Sequence, residues 1–247
     1  MNQFRLSCPS WVIPGTYGEN LAFLEDKAAI QNVELLFFLY DESVQRELEA
    51  DLESITKYRG RFTYTAHLPD KLSQNHQELI ERLLPLAEHF IVHPTNPEHP
   101  HKVDELAKLL QTWRMQYGNI FLAENTKPRW LEALEARIPD IPVCMDTGHL
   151  EHTEAILAFW LDRQSRIREI HLHSTDRKAA QLDGRLPDHR PLRGDEAWLR
   201  PLMHEAMGQN PQILINLELF SWAEVAQSLE IVDTENLCHC TWQLPSI

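Results

Sequence analysis

The chain has 247 residues, 43% hydrophobic and 24% charged, with a formal net charge of -14. That length and mix suit one large globular core, so a single domain over residues 1–247 is expected. Strong acidity disfavours a nucleic-acid partner, and no apolar run approaches the roughly 18 residues of a membrane span. The opening MNQFRLSCPSWVIPG lacks a secretory pattern, and the four cysteines lack the spacing of a disulfide framework. Both features point to a reducing cytoplasm.

In chain order, FRLSC (4–8) reads as a strand and GENLAFLEDKAAI (18–30) as a helix. VELLFFL (33–39) is a continuous apolar strand, followed by a helix over 43–58. RFTYTAH (61–67) alternates like a strand, and 75–89 is helical with Pro85 as a kink or break. FIVH (90–93) is a strand before an amphipathic helix over 101–117. Strand 119–125 precedes helix 128–138, and strand 141–146 precedes helix 151–163. Strand 167–173 leads into a long polar loop and a helix over 195–206. Strand 212–219 and helix 222–232 complete the pattern. Eight strand–helix units in this length predict a (β/α)8 TIM barrel. An open doubly wound sheet is the alternative, but no Gly-rich phosphate turn follows the first strand.

In such a barrel the active site lies at the carboxyl ends of the strands. Strands three to eight end, in order, in His67, His93, Glu124, Asp146 with His149, His171 with His173, and Glu218. The loop after strand seven adds Asp188 and His189. Singly, each has an ordinary explanation: a strand-end histidine bonds to the barrel rim, and a lone aspartate caps the next helix. Convergence changes the reading, because so many imidazoles and carboxylates around one mouth need a cation between them. Nitrogen and oxygen donors suit zinc, manganese or iron. His76, His89, His99, His101, His152, His204 and His239 read as helical or outer-loop residues with no site role. Cys238-His239-Cys240 is spaced too tightly for a tetrahedral knuckle. Trp11 and Asn125 are candidate substrate contacts. Arg177 and Arg190, in the basic loop after strand seven, are candidates to hold a phosphate, with Asp188 beside them.

The ordered set AHLP, VHPT, AENT, CMDTGH, IHLHSTD and LEL resembles the xylose-isomerase-like TIM barrels. That group includes endonuclease IV, the AP endonuclease family 2 proteins and many sugar isomerases and epimerases. The resemblance implies that Glu124, Asp146, His171 and Glu218 are core metal ligands. It implies further ligands at His67 and His93, and a third-metal pair at His149 and His189. The adjacent Asp188 and His189 depart from the Asp-x-His of endonuclease IV. YTAHLPDKL, CMDTGHL, IHLHSTD, DHRPL and LELF are also similar to the cobamide-remodelling phosphodiesterases, which implies hydrolysis in the nucleotide loop of a cobamide. Ser174 stands where that family has glycine, and the 175–187 insertion is longer.

Two enzymatic readings follow. In a phosphodiesterase, two or three divalent ions activate water, Glu124 bridges them, and His173 contacts substrate or supports a ligand. In a sugar isomerase or epimerase, one ion binds sugar oxygens while Glu124 and Glu218 exchange a proton as general bases. Either takes a small molecule and requires no membrane or nucleic acid. A metal-free binding protein on the same barrel is a third reading.

Overall fold

The apolar stretches become eight parallel strands: β1 (Arg5–Pro9), β2 (Ile30–Leu36), β3 (Thr63–His67), β4 (Ala87–Val92), β5 (Phe121–Glu124), β6 (Val143–Asp146), β7 (Ile167–His171) and β8 (Leu214–Asn216). They close in chain order into a barrel. Arg5, Leu6 and Ser7 of β1 pair with Leu214, Ile215 and Asn216 of β8, which completes the ring. The computed structural model describes residues 4–150 and 152–234. The Cys238-His239-Cys240 stretch lies outside the described residues.

The helices are α1 (Tyr17–Leu24), α2 (Glu42–Lys57), α3 (Gln77–Leu83), α4 (Pro100–Tyr117), α5 (Pro128–Glu135), α6 (Thr153–Arg163), α7 (Arg177–Asp183), α8 (Leu199–Gln209) and α9 (Trp222–Thr234). Local chemistry fixes several starts. Thr16 and Glu19 form a reciprocal capping box at α1, and the Asp41 carboxylate accepts from the first amides of α2. Pro100 and Pro128 occupy opening positions of α4 and α5, where a missing N–H costs nothing. Among the described residues, no helix is long and apolar enough to cross a membrane.

Several boundaries differ from the sequence reading, most of all around β2 and β4. α1 stops at Leu24 rather than 30, because Ile30 is drawn into the barrel opposite Leu6. β2 accordingly runs Ile30–Leu36 rather than 33–39. α3 ends at Leu83, just before Pro85, and β4 begins at Ala87. His89 is therefore a strand residue, not a helical one. The long polar loop after β7 carries α7.

Side chains alternate between the two faces of each strand. One face packs under the helices, where Leu21, Leu48, Leu110, Trp113, Leu134, Trp160 and Leu202 are fully or almost fully buried. The other fills the bore. Ile91, Leu122 and Cys144 line an apolar half. The opposite half is polar. Ser7 Oγ donates to Asn32 Oδ1 at 2.8 Å, Thr65 Oγ1 to Glu169 Oε1 at 3.5 Å, and Asn216 Nδ2 to Glu34 Oε2. The last two contacts join strands that are not neighbours, so they cross the barrel interior.

Candidate metal centre

Glu124 ends β5 with its carboxylate almost wholly buried. Its Oε2 lies 3.1 Å from His67 Nε2 and 3.2 Å from His93 Nε2. Its Oε1 lies 3.4 Å from His149 Nδ1. Imidazoles thus approach the one carboxylate on both oxygens. His67 Nδ1 sits 3.1 Å from the Leu68 carbonyl, where only N–H can bond. In the neutral ring, that choice turns the Nε2 lone pair on Glu124, and two acceptors so close need a proton or a cation between them. Burial pushes the His67 pKa down, against the proton. A cation fits.

His93 faces Asp70 Oδ1 at 3.0 Å through Nδ1, an outer carboxylate that orients the ring toward Glu124. Burial opposes its charged form, but Glu124 and Asp70 push it up to about 10. Burial likewise opposes charge on His149, and Asp146 and Glu124 push it up to about 9. Burial disfavours ionised Glu124 and Asp146, yet the facing imidazoles hold both below the usual carboxylate range. Without a cation, protons on the surrounding histidines balance these carboxylates.

The turn after β6 is built for close approach. Asp146 Oδ1 accepts the amides of Gly148 at 2.7 Å and His149 at 3.0 Å, which folds DTGH back over the strand end. Thr147 Oγ1 donates to the His173 carbonyl at 2.8 Å and fixes the end of β7 beside it. A Cβ on Gly148 would lie 1.9 Å from His173 Cε1, so the imidazole uses the space that glycine leaves. His173 Nε2 is 3.2 Å from Asp146 Oδ1. The His189 amide donates to His173 Nδ1 at 3.0 Å, closer than the Ser174 carbonyl at 3.3 Å, which favours the proton on Nε2, toward Asp146.

His171 Nδ1 is 3.1 Å from Glu218 Oε2 and 3.9 Å from Glu124 Oε2. Among the described residues, neither ring nitrogen of His171 has a hydrogen-bond partner, and neither does Glu218 Oε2. Buried orphans of this kind signal a missing partner. His189 has φ 50, the only non-glycine residue with positive φ among those described. That left-handed turn brings two neighbours to the site. Asp188 Oδ2 lies 3.9 Å from His149 Nε2, and His189 Nδ1 lies 3.1 Å from the Glu218 carbonyl.

Four donor groups have ligand atoms within 4.8 Å of one another: His67–His93–Glu124, Glu124–Asp146–His171, Glu34–His171–Glu218 and His173–His189–Glu218. The buried His, Glu and Asp set can bind metal, and its nitrogen and oxygen donors suit zinc, manganese or iron.

Known proteins place the architecture. No family model matches the chain, and no curated protein matches it. Solved structures do. A xylose isomerase domain protein from Alicyclobacillus acidocaldarius aligns at TM-score 0.62 and 14% identity, over 95% of this chain and 98% of its own. The fold is that of the xylose-isomerase-like TIM barrels. An L-ribulose 3-epimerase aligns at TM-score 0.57 and 14% identity, over 98% of this chain and 89% of its own. Protein SMc04130 from Sinorhizobium meliloti 1021 aligns at TM-score 0.56 and 12% identity, over 94% and 95%. At these identities the likeness concerns the xylose-isomerase-like fold alone.

On that fold, the sequence-derived ligands His67, His93, Glu124, Asp146, His149, His171, His189 and Glu218 all stand at the carboxyl end of the barrel. The substrate candidates are more scattered. Asn125 spends its amide on the Asp146 backbone, donating at 2.8 Å and accepting at 2.7 Å. Arg190 is buried and bound to Asp183 and the Leu186 carbonyl. Arg177 lies exposed on α7, and Trp11 is 57% exposed beyond β1. Sequence reasoning missed Asp70, Glu34 and Glu169. Glu34 had a signal, being the lone charge in an apolar strand; Asp70 had none, being one acidic residue in a polar loop.

Proposed function

We propose that the protein is a metal-dependent phosphodiester hydrolase whose centre takes at least two divalent ions. The observation that carries this reading is Glu124, with His67 and His93 on one oxygen and His149 on the other. One carboxylate flanked in this way suits a bridge between two cation positions. His67, His93 and Glu124 would hold one ion, and Glu124, Asp146, His149, His171 and Glu218 the neighbouring position. His189 and Glu218 offer donors for a third. Bound there, divalent ions supply the positive charge that polarises a phosphoryl oxygen and acidifies water.

The protein's own groups prepare that chemistry. Asp70 and the Leu68 carbonyl fix the rings of His93 and His67. His173 holds a proton on Nε2 between Asp146 and Glu218, whose oxygens lie 3.2 and 3.7 Å away. Water then cleaves one P–O ester bond, giving a phosphomonoester and an alcohol. The acidic chain suits a small-molecule diester better than a nucleic-acid backbone, and the motif resemblance names the nucleotide loop of a cobamide as that diester. Trp11 and Arg177, both exposed, are the side chains we assign to substrate contact in this reading. Elemental analysis of purified protein, followed by incubation with a cobamide and with bis(4-nitrophenyl) phosphate, tests the reading. At least two ions per chain and release of phosphomonoester support it; one ion and no hydrolysis reject it.

The second reading is a sugar isomerase or epimerase, as the L-ribulose 3-epimerase neighbour is named. Glu124, Asp146 and His171 form one compact donor group with Glu218 beside His171. A single ion there would leave Glu124 and Glu218 to exchange a proton at a sugar carbon. Deuterium incorporation from heavy water into a ketose, with one ion per chain, favours this reading over hydrolysis.

A further inference from the structure

Glu34 belongs to β2, whose end supplies none of the ligands expected from the sequence. It is fully buried in the bore, where a carboxyl group is costly unless it is paired or hydrogen-bonded. Asn216 Nδ2 donates to its Oε2 and so fixes the carboxylate in one orientation. The other oxygen, Oε1, has no hydrogen-bond partner among the described residues and lies 3.5 Å from His171 Nε2. Glu169 is slightly farther, at 3.8 Å, and the oxygen it presents already accepts from Thr65. The two nitrogens of His171 thus face opposite ways. Nδ1 looks up at Glu218 and Glu124, while Nε2 looks down at Glu34.

We propose that Glu34 is a positioning residue for the metal centre: it accepts the Nε2 proton of His171 and so commits Nδ1 to the ion. The inference rests on the metal-centre reading and adds a member to it from a strand without a ligand. An imidazole that gives one nitrogen to a cation carries its proton on the other, and a carboxylate acceptor there fixes the tautomer and strengthens the donor. Asn216 supports the arrangement from β8 by holding Glu34 in place.

The test is zinc titration of metal-free wild type and Glu34→Gln against a chromophoric chelator, with 15N NMR of histidine-labelled, zinc-loaded protein. The wild-type spectrum should show His171 with a protonated Nε2 and a zinc-bound Nδ1. Glu34→Gln should weaken one ion about 10-fold or more, within the range of 10- to 100-fold found for outer partners of metal ligands, and leave the His67–His93 ion unchanged. Metal-free Glu34→Gln should melt no lower than wild type, since the amide keeps the shape of the carboxyl group and its bond from Asn216; a purely structural role predicts a lower melting temperature instead. If Glu34→Gln does not fold, Asn216→Ala releases the same carboxylate and should weaken the same ion. Wild-type affinity for both ions in the variant, or zinc bound through His171 Nε2, overturns the proposal. A wild-type protein that binds no ion overturns the metal reading as well, so the two failures are distinct.

Discussion

Gly148→Ala adds a single carbon at the tightest contact of the site. The new Cβ would stand 1.9 Å from His173 Cε1 and 2.5 Å from its Nδ1. Restoring an ordinary contact of 3.4 Å requires the ring to withdraw by about 1.5 Å. The ring has little room, because His189 stacks on it at 4.4 Å between centroids. Withdrawal breaks the His189 amide bond to Nδ1 and the contact of Nε2 with Asp146. Overpacking of this kind costs about 1–3 kcal/mol, which lowers Tm by roughly 2–12 °C in a chain of this size. Misplacement by about 1 Å in a reacting centre costs on the order of 100-fold in rate. Calorimetry and bis(4-nitrophenyl) phosphate kinetics on the zinc-loaded variant measure both effects. Wild-type Tm together with wild-type kcat would refute the reasoning, since the ring would then have somewhere to go.

Glu124→Gln should keep wild-type circular dichroism and lose more than about nine-tenths of the hydrolytic rate, because a bridging carboxylate is worth several kcal/mol to the transition state. His67→Ala and His93→Ala should each lose one metal equivalent by elemental analysis; unchanged metal content with a raised KM would favour the isomerase. The pH dependence of the metal-free protein follows from His93 and His149, raised to about 10 and about 9. Their folded pKa values exceed the unfolded value near 6.5, so their contribution to stability is complete below about pH 6.5 and is lost as pH rises through 9 to 10. Thermal melts of metal-free protein from pH 6 to 10.5 should therefore decline at the alkaline end, and a flat profile would contradict the pairing.

The barrel was legible because each strand is an apolar run bounded by helical periodicity. The convergence of candidate ligands was legible because a histidine or carboxylate that ends an apolar strand stands out from its neighbours. Boundaries were less so. VELLFFL continues past β2 because Phe37 packs against Tyr17 under the helices, although the strand has already ended at Leu36. Leu39, in the same run, is 72% exposed. His89 looked helical because Leu79, Ile80, Leu83, Leu84 and Ala87 keep a helical spacing up to it, and only Pro85 marks where the helix must stop. Outer partners such as Asp70 and Glu34 were hidden for a different reason. Their roles depend on which ring nitrogen they face, and that is decided by contacts between separate strands.

The closure of β8 onto β1 bears on how the protein is made. The ligands proposed for it run from His67 to Glu218, so the last of them leaves the ribosome only after the first seven strands. A zinc finger recruits its ion from nearby residues and folds around it. Here an ion can be gripped fully only after the ring has formed from contacts distant in sequence. On the proposed metal reading, loading is a final inspection of a finished barrel, and a chelator should remove the proposed activity while leaving the architecture standing.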